Sequence, residues 1–90
     1  MAETIERAAI RFRGEVIDTP RPGRHCTIFM YSIYPVMTDD DECVHPEDQG
    51  FVTSTGRFVG RQEAMEIARA ANQLIHEPYQ PNCLFSEDVW

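Results

Sequence analysis

Lysine is absent from this chain: all eight of its basic residues are arginine. Codon usage in the source genome explains this without reference to function. The alternative is a need for forked, bidentate contacts to phosphate or carboxylate that an ammonium group cannot make. Positive charge is short in any form, with a formal net charge of −7. That balance excludes a general polyanion binder, since nucleic-acid affinity rests on many Lys/Arg contacts to phosphates, so duplex DNA is not an expected partner. Cysteine is scarce and unpaired. Cys26, Cys43 and Cys83 are an odd number without a Cys-x-x-Cys pair, which argues for free thiols over a disulfide framework. Cys43 and His45, with His25, Cys26 and Cys83, lack the tight paired spacing of closed zinc sites. Nothing in the sequence sets a base beside a thiol for nucleophilic catalysis. No apolar run reaches membrane-spanning length, and the acidic start Met1-Ala2-Glu3-Thr4-Ile5-Glu6 is no secretory signal, so a cytoplasmic location is expected, with no membrane partner.

What is present is an ordinary globular composition, 42% hydrophobic and 10% aromatic, over 90 residues. That length is one domain. A chain so short buries a modest share of its unfolded surface, so an extended ligand-holding surface calls for a second subunit, and a homo-oligomer is expected.

Along the chain, Ala9-Ile10-Arg11-Phe12-Arg13 alternates apolar and charged residues. Gly14 interrupts, and Glu15-Val16-Ile17-Asp18 follows: a short hairpin with one face buried. Thr19-Pro20-Arg21-Pro22-Gly23 is a stiff turn. From Arg24 to Tyr34 two patterns compete. Cys26, Phe29, Met30 and Ile33 form a helical stripe, while the Thr, Ile, Tyr and Phe content favours a strand; the stripe predicts a helix, ended by Pro35. Thr38-Asp39-Asp40-Asp41-Glu42 reads as a solvated acidic excursion, lacking the alternating ligands and glycine turn of a calcium loop. Phe51-Val52-Thr53 and Arg57-Phe58-Val59 flank Ser54-Thr55-Gly56 as a second hairpin. The strongest pattern follows. Ala64, Ile67, Ala68, Ala71, Leu74 and Ile75 line one side of a helix over about residues 61–75, opposite Gln62, Glu66, Arg69 and Gln73. Leu84, Phe85 and the only tryptophan, Trp90, are expected to pack on the domain or on a neighbouring subunit. The fold class is α+β, a small single domain of short antiparallel hairpins and two helices.

The order Arg24-His25, Gly50-Phe51, Gly56-Arg57-Phe58, Arg61-x-Glu63-Ala64, Ala71-Asn72-Gln73 and Leu84-Phe85-Ser86-Glu87-Asp88-Val89-Trp90 resembles a family of small phage-encoded proteins. That family includes the type 1 Thoeris anti-defence proteins, signal sponges for cyclic ADP-ribose isomers and, in some members, cyclic oligonucleotides. The resemblance spans most of residues 24 to 90. Gly60 and Gln62 depart from it, standing where relatives carry Asp, Asn or Thr and Glu. It implies a phage anti-defence protein that sequesters a nucleotide-derived small-molecule signal in the host cytoplasm, with no cofactor and no catalysis.

A nucleotide signal presents phosphates, ribose hydroxyls and a base. Arg24 and His25, at the expected helix start, suit a phosphate or merely a solvated helix end. Phe58 beside Arg57 and Arg61 suits base stacking with a phosphate contact, or a place in the core. Asn72 and Gln73 offer amide forks for a base edge or ribose, or a plain polar face. Ser86, Glu87 and Asp88 fit a cap for the tail better than ribose contacts. An enzyme that degrades the signal is disfavoured because His25, His45 and His76 are scattered and no paired carboxylates sit near a candidate pocket. The rival class is an acidic inhibitor or interaction module acting on a host protein, motivated by the net charge and the Asp39–Glu42 run.

Overall fold

A computed structural model of the chain describes residues 3–37 and 44–90. The acidic run Asp39–Glu42 and the thiol of Cys43 lie outside the described residues. Four strands, β1 (Ile5–Phe12), β2 (Glu15–Thr19), β3 (Gln49–Thr53) and β4 (Phe58–Gly60), form one antiparallel sheet in the order β2-β1-β3-β4. The α+β expectation holds, with two helical segments on one face of that sheet.

The first hairpin closes with Phe12 opposite Glu15, so Arg13 and Gly14 are its two loop residues, with φ of 54° and 77°. Positive φ at both positions gives a turn whose twist matches the strands, and glycine is the residue that adopts it freely. The second hairpin turns through Ser54–Arg57, closed by Thr53 N–H to the Arg57 carbonyl at 3.0 Å. β1 starts at Ile5, earlier than its alternating stretch suggested, because its first residues pair with β3 while β2 covers only Ala8 to Phe12.

Register decides which side chains face the core. Ala8, Ile10, Phe12, Phe51 and Val59 fall on one side and meet Ile28, Ile33, Ala64, Met65, Ala68 and Leu84 in a continuous apolar cluster. Arg7, Arg11 and Phe58 fall on the other side. Among the described residues, no helix is long and apolar enough to cross a membrane.

Two helical expectations need correcting. The segment after Gly23 is helical, as its stripe predicted, but in three gauges: α1 (His25–Ile28), a π turn over Phe29–Ile33 and a 3₁₀ turn over Tyr34–Val36. Pro35 therefore does not end the helical path. It sits in the first turn of the 3₁₀ piece, where no N–H is required, and Tyr34 before it keeps helical φ and ψ of −57° and −40°. The main helix, α2 (Arg61–Ala70), starts where expected but is shorter than 61–75. Asn72 turns left-handed at φ 56°, and the N–H groups of Asn72 and Gln73 reach back to the carbonyls of Arg69 and Ala68 at 3.1 and 2.9 Å. That paired closure satisfies the last carbonyls and stops the helix, so the stripe positions Leu74 and Ile75 fall beyond it.

Candidate functional site: a corner braced by arginines

The C-terminal segment returns along the start of α2 and the turn before α1, held there by arginine side chains. Arg61, the first residue of α2, donates from Nη1 to the Leu84 carbonyl at 2.7 Å and from Nη2 to Gln49 Oε1 at 3.0 Å. Leu84 N–H returns a bond to the Arg61 carbonyl at 3.0 Å, and the guanidinium carbon lies 4.6 Å from the Phe85 ring centroid. Arg24 donates from Nη2 to the main-chain oxygen of Trp90 at 2.5 Å and stands 3.7 Å from Glu87. The Trp90 indole donates to the Gly23 carbonyl at 3.0 Å and meets Phe51 edge-on, with ring centroids 6.2 Å apart. The tail thus packs on its own domain, with Leu84 fully buried. Buried Asp88 caps its turn, accepting from Phe85 N–H at 3.0 Å while pairing with His76 at 2.7 Å.

His25 lies behind this brace, 7% exposed, with Nε2 2.7 Å from the Gly50 carbonyl and its ring edge-on to Phe51. A carbonyl only accepts, so Nε2 carries the proton. Burial, reinforced by the Arg61 charge, lowers the His25 pKa to about 4, so the ring is neutral near pH 7. Burial also lowers the Arg61 pKa, but from so high a starting value that the guanidinium stays charged. Arg61 still borders a surface cleft of about 510 Å³, together with Gly60, Gln62, Glu63 and Cys83. The cleft, which Glu47 also lines, therefore joins a half-buried cation, an amide and two carboxylates at the N-terminal end of α2.

The structure gathers Arg24, His25 and Arg61 and distributes the other sequence-selected residues elsewhere. Arg57 leaves the second hairpin to donate to Glu3 from Nε and Nη2, both at 2.7 Å, and pairs with Glu63 at 2.8 Å. Phe58 lies on the open face of the sheet beneath Arg11, whose guanidinium carbon is 5.0 Å from the ring centroid. Asn72 forms the left-handed cap. The Gln73 side chain acts as a short length of extra strand, accepting from Ile5 N–H at 2.7 Å and donating to the Ile5 carbonyl at 2.9 Å.

Three contributors escaped sequence reasoning: Gln49, Gly50 and Trp90 as a hydrogen-bonding residue. Gly50 carried a readable signal, since glycine inside a strand marks a close approach. A Cβ there would stand 2.0 Å from the Val59 carbonyl oxygen.

Sheet, single layer of helices and braced tail together define a small α+β protein. The model of the phage T4 y16D protein family matches residues 4–90, and the chain belongs to that family. Comparison with curated proteins gives no match, and neither does comparison with solved structures.

Proposed function

We propose that this small phage protein is a non-catalytic binder that sequesters a nucleotide-derived signal, with cyclic ADP-ribose isomers as the first candidates and cyclic oligonucleotides as the second. The observation that carries the reading is Arg61. Its fork has N–H donors beyond the two engaged by Leu84 and Gln49, it borders the cleft, and burial strengthens any bond it makes to a phosphate. Glu63 on the same rim offers a carboxylate to ribose hydroxyls. His25, neutral and buried against the Gly50 carbonyl, does not meet the ligand as a cation.

Assembly belongs to this reading, with a second copy of the chain as the partner. Met30, Tyr31, Tyr34 and Val36 are exposed large apolar residues on one helical segment, Tyr31 at 75%. From Cys26 to Met37 no side chain is formally charged, in a protein of net charge −7. Two such acidic molecules repel, and a contact made through a segment without carboxylates is where repulsion is least. Tyr31→Glu should then convert the oligomer to monomer by light scattering; a wild-type protein that is strictly monomeric at tens of micromolar refutes the assembly.

Incubation with cyclic ADP-ribose isomers should raise the melting temperature, increasingly as free ligand exceeds the dissociation constant, and heating should return the ligand intact. A chemically altered ligand would indicate an enzyme; no shift with any cyclic nucleotide would remove the sponge reading. One observation favours the rival acidic interaction module. Six of the eight arginines donate to main-chain oxygens or to Glu3 and the other two pair with Asp18 and Glu6, so much of the surface field is left to carboxylates such as Glu15, Glu66 and Glu77. A host protein captured by the wild type and lost on neutralising Asp39–Glu42, with Arg24→Ala and Arg61→Ala still active, would establish that module in place of the sponge.

A further inference from the structure

The arginines are not equally engaged. Arg11, Arg13, Arg24, Arg61 and Arg69 each donate to a main-chain carbonyl, and Arg57 grips Glu3 with two nitrogens. Arg7 and Arg21 differ. Among the described residues Arg7 has only Asp18, at 3.6 Å and beyond hydrogen-bond reach. Arg21 has a single long bond to Glu6 at 3.3 Å, with its guanidinium carbon 5.8 Å from the Trp90 ring centroid. Both side chains are about half exposed, 49% and 51%, so neither fork is enclosed by the fold.

These two loosely held arginines border one cleft of about 450 Å³, which they share with Glu6 and Pro20. Strand β1 presents Arg7, and the proline-stiffened turn after β2 presents Arg21, so the backbone already places the two cations on one cleft and only their side chains remain to be ordered by a ligand. Two forked cations on the rim of one cleft offer a phosphate bidentate partners on two sides. Glu6 is fixed by Thr4 Oγ1–H, which donates to its Oε1 at 2.6 Å, leaving Oε2 to its weak contact with Arg21. A carboxylate beside a phosphate clamp repels the anion but accepts from vicinal hydroxyls, which selects a sugar phosphate over a bare anion.

We infer that the cleft between Arg7 and Arg21 is an anion subsite for a phosphorylated sugar, the two arginines holding the phosphate and Glu6 the hydroxyls. The ligand class agrees with the sponge reading, but the location is independent of Arg61. Arginine Nε–H signals of labelled protein, followed by NMR during titration with inorganic pyrophosphate at fixed ionic strength, test it. The Arg7 and Arg21 signals should shift saturably, and Arg7→Gln or Arg21→Gln should weaken binding about tenfold. With ribose 5-phosphate as the probe, Glu6→Gln should weaken binding, while leaving pyrophosphate binding undiminished. Shifts no larger than sodium chloride produces would overturn the subsite. Saturable shifts at Arg61 alone would overturn it too, while leaving the sponge reading standing. A Glu6→Gln variant that binds ribose 5-phosphate as the wild type does would overturn the assignment of the sugar.

Discussion

Arg57 and Arg61 stand on either side of strand β4 and use the same side chain in opposite ways. Arg57 is open to water and faces two carboxylates, Glu3 at 2.7 Å and Glu63 at 2.8 Å, which raise its pKa further. Arg61 is half-buried and faces neutral oxygens, the Leu84 carbonyl and the Gln49 amide, with Phe85 against its plane. By distance and charge the Arg57 network is the stronger. By contribution to folding the order reverses, because water and salt compete for an exposed ion pair, whereas removing the Arg61 fork leaves part-buried acceptors with less water to replace it. The tail, and the cleft beside Arg61, depend on the second kind of contact.

The sharpest way to break this contrast is to damage the floor of the corner. Gly50→Ala places a Cβ 2.0 Å from the Val59 carbonyl, on a backbone that cannot yield without parting β3 from β4. A loss of roughly 3 kcal/mol or more is expected in urea unfolding, together with the His25 anchor. An alanine variant as stable as the wild type would mean that the strands do not approach so closely.

Acid probes the same corner more gently. The folded His25 pKa, about 4, lies below its ordinary 6.5, so between these values the unfolded chain binds the proton and the native one does not. Stability should therefore be complete above pH 6.5 and fall, by up to about 3 kcal/mol, as pH drops towards 4. His25→Gln keeps a donor for the Gly50 carbonyl and should flatten that part of the profile. Persistence of the same slope in the variant would place its origin elsewhere.

How much of this was legible in the sequence depends on range. The two hairpins, the break at Gly14 and the start of α2 announce themselves through patterns a few residues long, although Arg13, read as strand, shares the loop with Gly14. So does the helical stripe after Gly23, although it could not foretell that Pro35 would sit inside a 3₁₀ turn. The length of α2 was misjudged because apolar spacing continues past Ala70, while one left-handed residue, Asn72, ends the helix. The candidate site was legible as residue types and not as partners. Arg24, His25 and Arg61 were singled out for phosphate, yet their nearest neighbours are Trp90, Gly50, Leu84 and Gln49, set by strand pairing and by the return of the tail. Gln73 is the extreme case, its amide pairing with Ile5 across almost the whole sequence.

Arg61→Ala tests the buried half of the comparison directly. Loss of a charged fork from the Leu84 carbonyl and Gln49 should cost about 1.5 to 3 kcal/mol, and Arg61→Lys should recover only part, since a single ammonium cannot span both acceptors. If a phosphate also binds there, ligand affinity should fall by roughly ten- to a hundredfold in parallel. Equal stability of the Lys variant and the wild type would show that charge, and not the fork, holds the tail.

The exposed half should respond least, and in a different pH range. Bonds from Arg57 first, then from Thr53 and Thr55, lower the Glu3 pKa from 4.5 to about 2. A depressed carboxylate contributes above its unfolded pKa, and the contribution fades as pH falls from 4.5 towards 2, below the window in which His25 acts. Arg57→Ala should therefore leave the decline between pH 6.5 and 4 intact and lessen the one beneath it. At neutral pH the variant's urea midpoint should lie close to that of the wild type, and the remaining difference should shrink in 1 M sodium chloride, where the screening length is about 3 Å. A difference at neutral pH as large as that of Arg61→Ala, and insensitive to salt, would mean that water does not compete for Arg57, and the contrast between the two arginines would fail.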